Sequence, residues 1–173
     1  MKALITGGSR GIGKSIALYF ATKGIEVIIP TREELNLNDP SLIKSYISSL
    51  SSVNILINNA GVNNIQNIEE VEYNNLLETF NINFFSPYLL CSALLPKFKK
   101  QNYGRIINIS SIWSTNVKDK RSTYAASKSA IHSLTKQLIP ETKNYNILSN
   151  TISPGYISTD LTYQNNTPED INT

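Results

Sequence analysis

Tyr124 and Lys128 stand four residues apart in Tyr124-Ala125-Ala126-Ser127-Lys128. Ala130, Ile131, Leu134 and Leu138 follow at helical spacing, with no Gly or Pro before Pro140, so the stretch reads as the opening turns of a helix. The spacing places the phenol and the amine on one helix face, one turn apart. An ammonium beside a phenol favours the phenolate and draws its pKa down from about 10 toward neutrality. Such a group suits proton exchange with a carbonyl/alcohol pair. A Tyr and a Lys at this spacing are otherwise a packed ring and a solvated amine, so the surrounding sequence decides. Ser111 lies thirteen positions upstream and ends the apolar run Ile106, Ile107, Asn108, Ile109, Ser110, a pattern for a buried parallel strand. A strand terminus facing a helix start is where open α/β sheets place their chemistry.

Those residues need a scaffold, and the N-terminus supplies its first unit. Lys2 to Ile5 reads as a strand entering Thr6-Gly7-Gly8-Ser9-Arg10-Gly11-Ile12-Gly13, after which Ile16, Ala17, Phe20 and Ala21 mark a helix face ending at Gly24. A Gly-rich turn between strand and helix allows close backbone approach, and free N–H groups with the helix dipole favour phosphate. The pyrophosphate of a dinucleotide is the expected guest. The same residues satisfy the G-x-x-x-x-G-K-[ST] pattern through Lys14 and Ser15. A nucleotide hydrolase also needs a strand-terminal Asp for its metal. The later strands end instead in Ile57-Asn58-Asn59 and Ile109-Ser110-Ser111, so Lys14 and Ser15 read as an exposed first helical turn.

Ile25 to Ile29 reads as the second strand, followed by Pro30-Thr31-Arg32. An acid at this point binds the ribose 2′-hydroxyl of NAD, whereas Arg accommodates the 2′-phosphate of NADP. Arg32 and Arg10 favour NADP(H), with NAD(H) the alternative because Glu33 and Glu34 lie just beyond. Leu35 to Leu37 is expected as a stub of edge strand. Asp39-Pro40 caps a helix to Leu50. Val53 to Ile57 is the next buried strand, leading into Asn58-Asn59-Ala60-Gly61. Glu69 to about Lys100 is expected as two helical pieces interrupted at Ser86-Pro87. Ile112 to Arg121 is a polar loop in which Trp113 is either a substrate-facing wall or loop packing. His132, the only His, is expected on the surface, away from the Tyr–Lys face. Ile147 to Ile152 is the last strand, and residues 161–173 are expected as a loose polar tail.

The bulk numbers bound the class. At 173 residues, 40% apolar and 17% charged, the chain suits a single globular domain. A net charge of +3 without a dense basic block gives no footing for nucleic acid or a membrane surface. No apolar run approaches the roughly 18 residues of a membrane span. Cys91 is alone, which points to a reducing compartment, and with no signal-peptide pattern the expectation is cytoplasmic.

The blocks Thr6-Gly7-x-x-x-Gly11-x-Gly13, Asn58-Asn59-Ala60-Gly61, Asn83, Ser111, Tyr124-x-x-x-Lys128, and Asn150 leading to Pro154-Gly155 and Thr159 occur in this order. In them the chain resembles the short-chain dehydrogenase/reductase family, with a general likeness to its 3-oxoacyl-(acyl-carrier-protein) reductases. The resemblance implies a Rossmann-type, doubly wound parallel α/β sheet of order 3-2-1-4-5-6 over residues 1–160, truncated at its C-terminal end relative to the family. It implies hydride transfer between NADP(H) and a carbonyl or alcohol. Tyr124 would be the proton donor, Ser111 would hold the carbonyl oxygen, Lys128 would lower the Tyr124 pKa and hold the nicotinamide ribose, and Asn83 would support a proton-relaying water. Gly7, Ser9, Arg10, Gly11, Ile12, Gly13, Arg32, Asn59, Ala60 and Gly61 would line the cofactor. Asn36 would accept from the adenine amino group, Pro154 and Gly155 would lie over the nicotinamide, and Thr159 would bind its carboxamide. The long helices suggest a homodimer. The rival from another class is a non-enzymatic dinucleotide-binding module.

Overall fold

The computed structural model describes residues 1–167. Five strands, β1 (Lys2–Ile5), β2 (Glu26–Ile28), β3 (Ile55–Asn58), β4 (Gly104–Ile109) and β5 (Ile147–Ile152), form one parallel sheet of order β2-β1-β3-β4-β5. The helices are α1 (Gly11–Thr22), α2 (Ile43–Ser49), α3 (Tyr73–Phe80), α4 (Ser86–Gln101), α5 (Ser122–Thr142) and α6 (Asp160–Asn165). Each strand is a short Ile/Leu/Val-rich run, as expected where both faces of a parallel sheet are covered.

The doubly wound class stands, but the expected third strand does not form. Leu35–Leu37 is a turn segment, and the sheet begins at β2. Only eleven residues separate Ile28 from Pro40, too few for the crossover that a parallel strand requires. The two leucines are put to other use: Leu35 is buried at 3% exposure and Leu37 packs against the same core. The turn is closed by Thr31 and Glu34. The Thr31 N–H donates to the Glu34 carboxylate at 2.8 Å, and the Glu34 N–H to Thr31 Oγ1 at 3.3 Å.

One sheet face packs Leu4, Leu56 and Ile106 against Leu90, Leu94 and Phe98 of α4 and Ile131, Leu134 and Leu138 of α5, with Ile43 and Ile47 of α2 beside them. The opposite face packs Ala3, Ile5, Ile55, Ile57 and Ile109 against Ala17 and the flanking Ile16 and Phe20 of α1. On that side the outer strand is bare, with Leu148 53% and Ile152 49% exposed.

A line of polar side chains crosses the core. Asn58, Asn108 and Thr151 are register partners on β3, β4 and β5. Asn58 Nδ2 donates to Asn108 Oδ1 at 2.7 Å, and Asn108 Nδ2 to Thr135 Oγ1 of α5 at 2.9 Å. Thr151 donates to the same Thr135 oxygen at 2.8 Å, and Thr135 passes its proton to Ile131 O at 2.8 Å.

The second helical piece begins at Ser86-Pro87 as expected, with Pro87 in the first turn of α4, and a single π turn (Asn81–Phe85) joins it to α3 without a gap. Two other boundaries differ from expectation. α5 runs through Pro140 to Thr142. Residues 161–165, expected within a loose tail, belong to α6; 168–173 lie outside the described residues.

Candidate active site

The carboxyl ends of the strands open onto a cleft of about 550 Å³. At one end is the β1–α1 loop. Gly7 (φ 64°) and Gly11 (φ 53°) take left-handed backbone, which favours glycine. Gly13 is required by space, because a Cβ there would lie 2.4 Å from both Gly7 O and Asn59 Nδ2. Asn59 is the staple of this end: its Nδ2 donates to Thr6 O at 3.0 Å and Gly7 O at 2.9 Å. Thr6 answers by accepting the Asn59 and Ala60 N–H groups on Oγ1, each at 3.1 Å. The loop's shape is thus fixed by side-chain-to-backbone bonds, with its surface left for a ligand. Lys14 and Ser15 face outward, and Ser15 Oγ donates back to Gly11 O at 3.2 Å.

At the other end Ser111, Tyr124 and Lys128 are buried at 7%, 9% and 4% exposure. Ser111 follows β4, and its Oγ accepts the Trp113 N–H at 3.2 Å. Tyr124 and Lys128 come from α5. Lys128 Nζ donates to Ile109 O at 2.8 Å and lies 5.7 Å from the Tyr124 ring centre. Ser110 Oγ, donating to Lys128 O at 3.0 Å, pins α5 to the end of β4.

The electrostatics depart from the expectation that Lys128 makes Tyr124 acidic. Burial pushes the Tyr124 phenol up, against smaller downward pulls from a hydrogen bond with Ser111 and the charge of Arg121. Burial also brings Lys128 down to about 8. Withdrawal from water opposes the charged form of both groups, and it outweighs the local partners. Tyr124 is therefore a phenol at neutral pH, a proton donor in waiting.

Of the expected cofactor and catalytic residues, Gly7, Ser9, Arg10, Gly11, Ile12, Arg32, Asn36, Asn59, Ala60, Gly61, Ser111, Tyr124, Lys128, Pro154, Gly155 and Thr159 line this one cleft. Gly13 and Asn83 lie behind its wall. Asn83, buried in the π turn, accepts the Val62 N–H at 2.9 Å and donates to Val62 O at 2.9 Å and Ser127 Oγ at 3.0 Å. It braces the loop after β3 against α5. The Asn36 oxygen, expected for adenine, instead accepts the Asn38 N–H at 3.0 Å. Arg10 forms an exposed pair with Asp160 at 3.9 Å, a contact of little energetic weight.

Two residues were not foreseen. Arg121, 3% exposed, donates to Asn165 O at 2.7 Å and Asn166 Oδ1 at 2.9 Å, tying the end of α6 to the start of α5. Its place three residues before Tyr124 was the available signal. His132, expected on the surface, is half-buried, and its Nε2 meets Ser114 Oγ at 3.0 Å and Ser153 Oγ at 3.1 Å. Among the described residues no group of three His, Cys, Asp or Glu could hold a metal, and no helix is long and apolar enough to cross a membrane.

The cleft suits a dinucleotide on its own geometry. Gly7, Gly11, Gly61 and Gly155 line it and let a ligand approach the backbone. Comparison with known proteins agrees. The short chain dehydrogenase family profile matches residues 1–40 and 39–170. The 3-oxoacyl-(acyl-carrier-protein) reductase FabG of Vibrio cholerae is 33% identical, over 92% of this chain and 75% of its own. The structure of 4-hydroxyisoleucine dehydrogenase complexed with NADH superposes with a TM-score of 0.86 at 29% identity, over 92% of this chain and 77% of that one. ElxO with NADP bound gives 0.85 at 25% identity, over 94% and 76%. On the family profile over most of its length and a relative 33% identical over 92% of it, the chain belongs to the short-chain dehydrogenase/reductase family of oxidoreductases.

Proposed function

We propose that this chain is an NADP(H)-dependent oxidoreductase that interconverts a carbonyl and an alcohol on a small molecule, with Tyr124 as the proton donor. The observation that carries the reading is the burial of Ser111, Tyr124 and Lys128 on the same cleft as the glycine loop. The bound cofactor supplies the hydride. Ser9, Arg10 and the loop N–H groups before α1 would hold its phosphates, and Arg32, exposed at the rim beyond β2, would take a 2′-phosphate by a forked, charge-assisted contact.

In reduction, charge develops on the carbonyl oxygen. The Ser111 hydroxyl donates to it, and Tyr124 transfers its phenolic proton to the same oxygen. Burial keeps Tyr124 protonated at rest, which favours the reductive direction. The nearby Lys128 cation stabilises the phenolate left behind, and its amine would hold the nicotinamide ribose. Pro154, Gly155 and Thr159 would set which ring face is exposed.

Two further readings concern the surroundings. The exposed Phe85 at the end of the π turn and Tyr88 and Leu89 on α4 (40%, 49% and 38%) support pairing of two copies through the long helices, which light scattering would check. A buried, unpaired Cys91 supports a reducing, cytoplasmic setting. Steady-state oxidation of NADPH with a panel of ketones and aldehydes tests the function. Turnover that Tyr124→Phe removes is the expected result. Equal turnover by the variant would overturn the assignment of Tyr124, and none by the native chain would overturn the activity.

A further inference from the structure

We propose that His132 is a positioning residue for the carbonyl end of the cleft, holding the Ser111 loop and the Ser153-Pro154-Gly155 turn in fixed relation through one imidazole nitrogen. The inference rests on the oxidoreductase reading above. Spacing alone puts His132 one turn beyond Lys128, two beyond Tyr124, and the ring reaches between two loops that leave neighbouring strands. Nε2 is 3.0 Å from Ser114 Oγ on the β4 side and 3.1 Å from Ser153 Oγ on the β5 side. The loops touch directly through the backbone bond from Ile112 N–H to Pro154 O at 3.1 Å and through Tyr156, which meets the Trp113 ring edge-on and accepts from Lys118 Nζ at 3.2 Å. His132 adds a link from α5, which thereby carries the brace on the same rigid element as Tyr124 and Lys128.

Proton accounting fixes the ring's state. A serine hydroxyl has one proton to give. Ser114 gives its proton to Ser111 O at 2.6 Å. With that bond made its oxygen only accepts, which assigns the hydrogen at this contact to His132 Nε2, shared with Ser153 Oγ. The chain of bonds therefore runs from His132 through Ser114 to the main chain of Ser111, whose hydroxyl is placed to meet the substrate oxygen. Ser129 Oγ adds a weaker hold, its one proton shared between Ser114 O at 2.8 Å and Ala125 O at 2.9 Å. An apolar residue at 132 would leave Ser114 and Ser153 without this partner and the two loops joined only by their backbone bond and by Tyr156 against Trp113 and Lys118. Loss of sub-ångström placement at a reacting centre is costly even when binding survives.

The test combines kinetics with a spectroscopic readout on the full chain. His132→Leu is expected to lower kcat about tenfold while the NADPH dissociation constant stays within about twofold, and His132→Gln, which restores an N–H donor, is expected to recover most of the loss. In a Ser111→Ala background His132→Leu should add no further loss, because its route to the chemistry is already cut. As the single histidine, His132 gives one pair of imidazole nitrogen resonances, expected to show a hydrogen on Nε2. A native-like kcat in His132→Leu, an equal loss in the Ser111→Ala background, or a bare Nε2 would each overturn the inference while leaving the oxidoreductase reading intact. Absence of turnover by the native chain would sink both.

Discussion

The two ends of the cleft are built on opposite principles. The glycine-loop end presents backbone, shaped by Gly13 and stapled from behind by Asn59 and Thr6. The carbonyl end presents buried side-chain atoms of Ser111, Tyr124 and Lys128, whose ionisation is set by withdrawal from water. The first end reads a generic feature, phosphate charge, and needs shape more than functional groups. The second performs chemistry and needs particular atoms, at a cost in stability. Substitutions should therefore separate cleanly: at one end they alter binding, at the other turnover.

The largest effect is expected from Tyr124→Phe. Removing a general acid typically costs 10²- to 10⁴-fold, so kcat should fall by roughly 10³ while NADPH affinity holds within a few-fold. Stopped-flow or steady-state assays with fluorescence titration of NADPH would check it, and a comparable fall in affinity would erase the contrast between the ends. Next is the cost of Lys128. Its folded pKa of about 8 lies below the ordinary 10.5, so between those values the unfolded chain binds more protons and stability rises with pH. Below pH 8 the full penalty applies. Relative to Lys128→Met, the native chain should gain up to about 3 kcal/mol in urea unfolding between pH 7 and 10; a flat difference would mean the amine is not desolvated. Gly13→Ala tests the other end. The added methyl meets Gly7 O and Asn59 Nδ2 at 2.4 Å, and such overpacking costs about 1–3 kcal/mol. Protection of the fold by NADPH in thermal unfolding should be lost, because the loop must deform. The smallest effect is Arg32→Ala, expected to weaken NADPH about tenfold while NADH is unchanged. Equal weakening of both would move the 2′-phosphate elsewhere.

Much of this was legible in the chain. The strands β1, β3, β4 and β5 announce themselves as apolar runs, and residues at their carboxyl ends, Thr6-Gly7, Asn59 and Ser110-Ser111, fell together on one cleft. What failed to show depended on competition between neighbours. Leu35 and Leu37 look like strand residues, but the short connection from Ile28 leaves no room for a crossover and the core takes them as side chains only. The expected acidity of Tyr124 counted its helix neighbour and omitted burial, which is a property of the assembled sheet and helices. His132 read as surface although its place four residues after Lys128 sets it one turn along the same helix face; the loops from β4 and β5 that cover it come from distant sequence. The joint before Pro87 became a π turn, and Asn83 within it found its partners on Val62 and Ser127.

The polar file of Asn58, Asn108, Thr151 and Thr135 bears on how the strands find their alignment. In a parallel sheet of isoleucines, one hydrophobic pairing is nearly as good as its neighbour. Sliding β4 by a single position would set Ile107 or Ile109 against Asn58, strand its amide in a dry interior, and deprive Thr135 of the Asn108 donor. These four side chains act as a key cut for one tumbler setting, so Asn108→Leu should yield a protein that still collapses but spreads its amide resonances over several competing registers.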